Sequence, residues 1–434
     1  MADANPGDKV EIKTDKETVT GILMPNEETD SVVIKMDSGY NIGIEKKKVK
    51  GMKVIEKVKA EKESKPGKIA NNPKLPTIAI LHTGGTIASK ADYKTGGVVA
   101  MFSPEEIINM FPELAEIANI KSRLISNMFS EDMRFSHYPV MAKAIKEEID
   151  SGVDGIILTH GTDTMTTTSA ALSFIIESLN IPVIIVGSQR SSDRGSSDAG
   201  MNLICAAEFI GKTDFAGVAI CMHETEEDLK CAILPGTKTR KLHTSRRDAF
   251  KAVNDTPIAS VDYKTKKITF NKKDYTKKGK GNKVEIKNKF EEKVGILRAH
   301  PDLNEEEILF YKNYKGLIIE GTGLGHIAVG APNDLCKPNL KNLEALKTLN
   351  KNKCVMTMTS QCIFGRVHSH VYTDAIEIFK AGVIPGEDML TETAFIKLAW
   401  LLGQYPNNPE KVKELMATNL KGEISECSDV RSHL

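Results

Sequence analysis

The sequence predicts an α/β fold, in which two domains with mostly parallel sheets follow a small N-terminal β-barrel-like domain. Over residues 77–222, and again over 294–359, apolar strand-like runs alternate with helical stretches, which is typical of parallel sheets. The first 60 residues instead contain short runs with partial apolar alternation, separated by turn residues, as a small barrel requires. A chain of 434 residues can bury two or three such domains.

The composition is that of an ordinary globular protein. A net charge of +1 gives no general argument for nucleic-acid binding, and no apolar stretch reaches the roughly 18 residues of a membrane span. The polar N-terminus has no apolar signal segment, and the seven cysteines are scattered without a C-x-x-C pair. We therefore expect a cytoplasmic location with reduced thiols. His368 and His370 with Cys362 form a candidate metal site. The sequence contains no other ligand cluster beside them, so we expect no metal.

Changes in composition divide the chain into five predicted segments. They are a small β domain (1–60), a charged linker (61–76), an α/β domain with the catalytic loops (77–258), a lysine-rich insertion or linker (259–291), and a second α/β domain with its tail (292–434). For the N-terminal domain we expect an adaptor or packing role, although small barrels also bind RNA or protein. The lysine-rich segment is expected to be a solvated insertion or hairpin, with contact to a phosphate backbone as the alternative.

The elements of the two α/β domains follow from apolar runs and helical periodicity. In the first domain, strands are expected over 77–81, 153–159, 182–187 and 217–222, and helices over 104–117, 140–149, 168–179 and 199–209. In the second domain, strands are expected over 294–297, 316–320 and 354–359, and helices over 305–312, 340–349, 390–402 and 409–420.

Two hydroxyl-rich loops follow strands of the first domain. They are residues 82–89 (HTGGTIAS) and 159–165 (THGTDTM). Loops at the carboxyl ends of strands in an α/β sheet hold ligands, and glycines there leave backbone N–H groups free to receive an oxyanion. A threonine hydroxyl is a weak nucleophile that needs a base, and a lysine in a partly buried site can be that base. Thr86, Thr162 and Asp163 are the candidates in these loops, and composition leaves Lys238 and Lys241 equally possible as the base.

The two loops resemble the signature motifs of the L-asparaginase/glutaminase type I family, and the similarity extends from about residue 75 to 403. The resemblance implies amide hydrolysis on an asparaginase-like two-domain core. It implies that Thr86 is the primary nucleophile and that Tyr93 orients it. Thr162, Asp163 and Lys241 resemble the second catalytic trio of the family.

A third segment resembles the substrate loop of that family, G-S-Q-D. The resemblance implies that Ser130, Glu131 and Asp163 bind the α-carboxylate and α-ammonium of the substrate. We expect backbone N–H groups of the Gly-rich loops, near Gly85 and Thr162, to receive the oxyanion. Phe129 stands where the family has glycine, and Glu131 where it has glutamine. The extra negative charge argues against the usual preference for asparagine.

The β-rich N-terminus and the lysine-rich insertion, combined with this core, are similar to the D-type subunit family of archaeal glutamyl-tRNA(Gln) amidotransferases. The resemblance implies a glutaminase that supplies ammonia for converting Glu-tRNA(Gln) to Gln-tRNA(Gln). An E-type partner subunit would bind ATP and Mg and most of the tRNA, and a homodimeric core would form a heterotetramer with it. No P-loop occurs in this chain, so we expect no cofactor in it. The alternatives are a free-standing cytoplasmic L-asparaginase/glutaminase and a non-catalytic tRNA-binding scaffold.

Overall fold

The computed structural model describes residues 4–24, 30–36, 41–57, 71–84, 89–91, 98–100, 104–190, 197–279 and 283–428. Three residues of the predicted site, Gly85, Thr86 and Tyr93, lie outside the described residues. Their predicted roles therefore stay predictions.

The N-terminal domain is a five-stranded antiparallel sheet. Its strands are β1 (Lys9–Thr14), β2 (Thr18–Leu23), β3 (Ser31–Lys35), β4 (Asn41–Glu45) and β5 (Val49–Glu56). They lie in the order β4-β3-β2-β1-β5. Alternate residues of β1, Val10 and Ile12, point into a small core, because successive side chains of a strand face opposite sides of the sheet. The predicted N-terminal β domain is confirmed.

The first α/β domain is built on an eight-stranded sheet. The strands of this domain, both inside and outside that sheet, are β6 (Thr77–His82), β7 (Ser89–Ala91), β8 (Val98–Ala100), β9 (Asn119–Leu124), β10 (Gly155–Thr159), β11 (Ile176–Glu177), β12 (Pro182–Val186), β13 (Gly217–His223), β14 (Lys230–Pro235), β15 (Thr239–Lys241), β16 (Phe250–Ala252), β17 (Ala259–Asp262) and β18 (Ile268–Phe270). Its helices are α1 (Pro104–Met110), α2 (Leu114–Ile117), α3 (His137–Asp150), α4 (Met165–Ile175) and α5 (Ala199–Lys212). The eight strands of the sheet have the order β18-β17-β14-β13-β12-β10-β6-β9, parallel from β9 to β13 and antiparallel beyond it.

Helices cover both faces of this sheet, which explains why its central strands are apolar throughout. In β10, Ile156 and Leu158 belong to the core shared with α3 and α4, whereas Ile157 belongs to the core shared with α5. A strand buried on both faces lacks the alternation of a half-exposed strand. The predicted α/β domain with a mostly parallel sheet is therefore confirmed.

The second α/β domain has a four-stranded parallel sheet. Its elements are β19 (Glu285–Ile286), which pairs with β11, then β20 (Val294–Arg298), β21 (Gly316–Gly321), β22 (Val355–Ser360) and β23 (Val383–Pro385), with helices α6 (Glu305–Leu309), α7 (Leu340–Lys351), α8 (Thr373–Lys380), α9 (Thr391–Gln404) and α10 (Pro409–Met416). Helix α9 packs on α4 of the first domain, and the rings of Phe174 and Trp400 stack with centroids 5.6 Å apart. The two domains therefore share a continuous apolar core.

Four helix predictions are wrong in their extent. The helices expected over 305–312 and 409–420 end early, at Leu309 and Met416. The helix expected over 104–117 ends at Met110 and a second one begins at Leu114, because Pro112 between them has no N–H to donate to a helical bond. The helix expected to reach residue 179 ends at Ile175, because Ile176 pairs with Ile286 in a two-stranded ribbon.

The lysine-rich segment joins the first domain rather than standing apart from it. Strands β17 and β18 extend the eight-stranded sheet. Three of its lysines form ion pairs with carboxylates at 2.5–2.9 Å: Lys272 with Asp255, Lys277 with Asp214, and Lys287 with Glu177. In the described part of the chain, no helix combines the length and apolar character needed to cross a bilayer.

Candidate active site

The two hydroxyl-rich loops leave neighbouring parallel strands at the same edge of the main sheet. Strand β6 pairs with β10 so that His82 lies opposite Thr159, and both strands end at this pair. Thr83 joins the loops, because its N–H and its hydroxyl both donate to the carbonyl oxygen of Thr159, at 3.2 and 2.9 Å. The sheet therefore brings the start of the first motif beside the second.

Lys241 reaches the second loop from a hairpin formed by β15 and β16. Its Nζ lies 2.9 Å from Thr162 Oγ1 and 2.7 Å from Asp163 Oδ1. The lysine side chain is 15% exposed and that of Asp163 is 62% exposed, so the amine is sheltered while the carboxylate faces the solvent. Lys241 thus meets two adjacent residues that precede it by 79 and 78 positions in the sequence.

The structure distinguishes the two lysines that composition left open. Lys238 is fully buried and its Nζ pairs with the carboxylate of Asp388 in the second domain. Lys241 alone of the two touches Thr162 and Asp163. Lys241 is therefore the lysine that joins Thr162 and Asp163 in the candidate site, whereas Lys238 binds a residue of the second domain.

The segment that resembles the substrate loop lies directly against the second motif. Ser130 is buried, and its hydroxyl accepts from the N–H of Asp163 at 3.2 Å. The hydroxyl of Thr164 donates to the Ser130 carbonyl oxygen at 2.6 Å. A Cβ on Gly161 would stand 2.8 Å from that of Ser130, so only glycine permits this approach. Glu131 is exposed beside Ser130.

Phe129, which replaces the family's glycine, is 72% exposed. A phenylalanine at this position therefore adds an apolar side chain to the surface next to Ser130 without entering the core. Lys241 is followed by another exposed apolar residue, Leu242. Phe129 and Leu242 are thus exposed apolar residues adjacent in sequence to Ser130 and Lys241.

The first motif packs against the same loop through Gly84. This glycine has φ +111°, and a Cβ at this position would stand 2.3 Å from the carbonyl oxygen of Met128. The carbonyl of Thr83 accepts from the Met128 N–H and from the Ser126 hydroxyl. The backbone that leads toward Thr86 is therefore held, as far as Gly84, against the segment that carries Ser130.

Two histidines beside the loops are buried and neutral. Burial lowers the pKa of His82 and that of His160 to about 4. His160 Nδ1 lies 2.7 Å from the carbonyl oxygen of Gly161, which only accepts, so Nδ1 carries the proton and Nε2 accepts from Thr168. The His160 ring therefore braces the loop that carries Thr162.

Sequence reasoning did not identify His160 or Thr164 as residues that shape the site. Both occur inside the 159–165 motif, where small residues and hydroxyls follow a strand, and this pattern was the available signal. Across the described ranges, no group of three or more His, Cys, Asp or Glu side chains is arranged to bind a metal ion.

Comparison with known proteins accounts for all three domains. Residues 4–55 match the GatD N-terminal domain, residues 77–276 match Asparaginase, N-terminal, and residues 293–416 match Glutaminase/Asparaginase C-terminal domain. The D-type subunit of glutamyl-tRNA(Gln) amidotransferase from Pyrococcus furiosus is 46% identical over 425 residues, which cover 96% of this chain and 92% of that protein. The chain belongs to this D-type subunit family of glutamyl-tRNA(Gln) amidotransferases. The Methanococcus maripaludis member is 45% identical over 97% of this chain and 98% of its own length.

Solved asparaginases share the two-domain part of this family's fold. The thermostable L-asparaginase from Thermococcus kodakarensis superposes with a TM-score of 0.71 at 30% identity, covering 81% of this chain and all of that one. L-asparaginase I from Vibrio cholerae gives 0.69 at 27% identity, covering 81% and 99%. The predicted asparaginase-like core is therefore confirmed, and the GatD N-terminal domain is an addition to it.

Proposed function

We propose that the chain is the glutaminase subunit of a tRNA-dependent amidotransferase, which hydrolyses glutamine to supply ammonia for the conversion of Glu-tRNA(Gln) to Gln-tRNA(Gln). The observation that carries the hydrolase activity is the contact of Lys241 Nζ with Thr162 and Asp163 in a partly sheltered site. The amidotransferase assignment rests on relatives of that name, which match the chain over nearly its full length, including the N-terminal domain.

In the proposed reaction, the Thr86 hydroxyl attacks the side-chain amide carbon of glutamine, and Tyr93 orients that hydroxyl. Backbone N–H groups near Gly85 and Thr162 stabilise the oxyanion of the tetrahedral intermediate. The amide nitrogen then takes up the proton that the Thr86 hydroxyl lost, and the C–N bond breaks. Ammonia leaves, and a γ-glutamyl ester of Thr86 remains. Water hydrolyses this ester to glutamate and restores the free hydroxyl.

The proposed role of the Lys241 cluster is to move protons in these steps. Neutral lysine has a lone pair at Nζ, and the 2.9 Å contact lets Nζ take the proton of the Thr162 hydroxyl while the Thr162 oxygen takes a proton from the attacking Thr86 hydroxyl or water. The reverse transfer then delivers the proton to the leaving group. After protonation, the same amine donates to Asp163 Oδ1 at 2.7 Å, where the carboxylate stabilises the ammonium. Thr162 would thus connect Lys241 to the reacting atoms.

The amino-acid end of glutamine is proposed to bind at Ser130, Glu131 and Asp163. The exposed carboxylates of Glu131 and Asp163 suit an α-ammonium group. Ser130 is fixed by Asp163 and Thr164, so its position is set before substrate binds.

The ammonia is proposed to pass to an E-type partner subunit, which would bind ATP, Mg and most of the tRNA. We further propose a homodimeric core within a heterotetramer in the cytoplasm. The assignment of ATP binding to the partner subunit is supported by the lack of a P-loop in this sequence, since the proposed amidation step consumes ATP.

Purification of the tagged chain from its native cells tests the proposed function. We expect a second protein chain and tRNA to co-purify, and glutamine hydrolysis by the complex to increase when Glu-tRNA(Gln) and ATP are added. The control is the isolated chain assayed with glutamine and with asparagine. Rapid asparagine turnover by the isolated chain, with no response to partner or charged tRNA, would instead indicate the free-standing asparaginase.

Glu131→Gln tests the proposed substrate loop. Glutamine is the residue that the resembled family has at this position, so we expect the ratio of glutamine to asparagine turnover to shift in favour of asparagine. Loss of a charged hydrogen bond to the α-ammonium, worth about 1.5–3 kcal/mol, should also lower kcat/KM for both amides about tenfold or more. The measurement is kcat/KM for both amides. Asp132→Asn, which removes the adjacent exposed carboxylate of the same turn, is the control and should leave the ratio unchanged. An identical ratio in wild type and Glu131→Gln would contradict this role.

A further inference from the structure

The hairpin that carries Lys241 is fixed at its open end by the second domain. Lys238 precedes β15, and Asn254 follows β16. Lys238 Nζ pairs with the Asp388 carboxylate, and Asn254 Nδ2 donates to the Asp388 carbonyl oxygen at 3.1 Å. Asn254 also exchanges two hydrogen bonds with the backbone of Gly365, at 2.8 and 3.0 Å. Both chain ends of the hairpin therefore converge on Asp388, in the loop before α9.

The C-terminal segment, residues 417–428, completes this contact. The N–H of Ser425 donates to Asp388 Oδ1 at 2.9 Å, and Lys238 Nζ donates to Ser425 Oγ at 3.0 Å. Arg366 Nη2 donates to the Ser425 carbonyl oxygen at 2.5 Å and lies 3.8 Å from Asp388 Oδ1. Lys238, Asp388 and Ser425, here termed the tail clamp, thus come from three distant parts of the chain.

A second buried ion pair anchors the C-terminal segment itself. Lys397 and Glu423 are both fully buried with Nζ and Oε1 2.6 Å apart. The Glu423 carboxylate also accepts from the N–H groups of Leu420 and Lys421, at 3.0 and 2.7 Å. These bonds fix the turn that directs Ser425 toward Asp388.

The same segment touches the elements on both sides of the Lys241–Thr162 contact. Thr237, next to Lys238, donates to the carbonyl oxygen of Lys421 at 3.1 Å. The side chain of Lys421 donates to the carbonyl of Ile176, directly after α4, at 3.3 Å. Helix α4 begins at Met165, just after the loop that carries Thr162. The C-terminal segment thus contacts both the hairpin that carries Lys241 and the helix that follows the Thr162 loop.

The strands of the hairpin contain only three residues each, and residues 242–246 at its tip are exposed, whereas Arg247 at the tip binds Glu226 and Asp228. Lys241 lies three residues from Lys238 and six from Arg247, so we expect the open end to have the larger effect on the direction of its side chain. Buried ion pairs add little net stability, since desolvation offsets the attraction, but their geometry is specific. A displacement of about 1 Å at a catalytic group can lower a rate by about 10²-fold.

We propose that the tail clamp is a positioning device that holds Lys241 in reach of Thr162. This proposal rests on the proposed function only for its effect on catalysis. The geometric part, the position of Lys241 Nζ, is independent of it.

Two variants test the tail clamp in the complex purified with its partner. Ser425→Ala removes one hydrogen bond of Lys238, and the double variant Lys238→Met/Asp388→Leu removes both buried charges together. Lys238→Met alone would leave the Asp388 carboxylate buried without its cation and risks unfolding the chain. For both chosen variants we expect kcat for glutamine to fall about 10- to 100-fold while KM changes less than about threefold.

The control is Glu208→Gln, which breaks the ion pair with Lys212 on α5, a helix that packs on the main sheet. It should leave kcat and KM unchanged even if the melting temperature falls. Unchanged kcat in folded clamp variants would overturn the proposal.

Crystal structures of the variants separate this proposal from the proposed function. We expect Lys241 Nζ to move beyond hydrogen-bond distance of Thr162 Oγ1 in the double variant, whatever the activity. An unchanged 2.9 Å contact would overturn the clamp. A wild-type complex that hydrolyses no glutamine would overturn the proposed function and leave this geometric test in force.

Discussion

Replacement of Lys241 by methionine or by arginine is expected to lower kcat for glutamine hydrolysis by about 10³-fold, within the range by which general bases accelerate reactions. Methionine keeps an unbranched apolar side chain as long as the lysine stem but has no amine. Arginine keeps the positive charge but cannot be deprotonated, so it can attract Asp163 and cannot take a proton from Thr162. The measurement is ammonia release under saturating glutamine by the complex.

The paired result for the two Lys241 variants decides the role of the amine. Substantial activity in Lys241→Arg alone would mean that Lys241 acts through its charge and would contradict proton transfer. The matched control is Lys251→Met, which removes a lysine from the facing strand of the same hairpin, where Lys251 pairs with Arg240. We expect its kcat to stay within about twofold of wild type, because its Nζ donates to the Glu224 carbonyl and not to the cluster.

Replacement of Thr86 by valine is expected to abolish glutamine hydrolysis, with a loss of roughly 10⁴-fold or more, because no nucleophile remains to form the ester. Valine has nearly the same shape as threonine, so the substitution changes little besides the hydroxyl. Rapid acid quenching followed by intact-mass analysis should show a γ-glutamyl adduct in the wild-type chain and none in Thr86→Val.

Thr162→Val is the informative comparison for this experiment. It removes the hydroxyl that Lys241 contacts but leaves Thr86, so we expect slow turnover with the adduct still located at Thr86. An adduct found on Thr162 in the wild-type chain, or formed normally in Thr86→Val, would show that Thr162 attacks first.

The sequence predicted the parallel architecture and the edge of the sheet where the loops meet, because both depend on local patterns. Apolar runs such as 77–81 mark strands buried on both faces, and residues after parallel strands necessarily share one edge. The break at Pro112 was also readable from the sequence, but the apolar periodicity on either side of it suggested one helix.

The sequence could not choose between Lys238 and Lys241 without a family resemblance, because the choice depends on contacts across long separations. Lys238 finds its partner Asp388 after 150 residues, whereas Lys241 contacts Thr162, which lies 79 residues before it. The two lysines are only three positions apart in the sequence, yet their amines contact different parts of the protein. The amino-acid composition of this segment predicts neither the hairpin nor the contacts of the two lysines with Asp388 and Thr162.

The place of Ser425 in the chain sets the order in which the surroundings of Lys241 are completed. Ser425 lies 187 residues after Lys238, and at roughly 5–20 residues per second a ribosome needs about 10–40 s to synthesise that interval. Both threonine loops and the lysine hairpin are synthesised before it. During translation, Lys241 therefore acquires its final support late, when the last contact of its anchor leaves the ribosome.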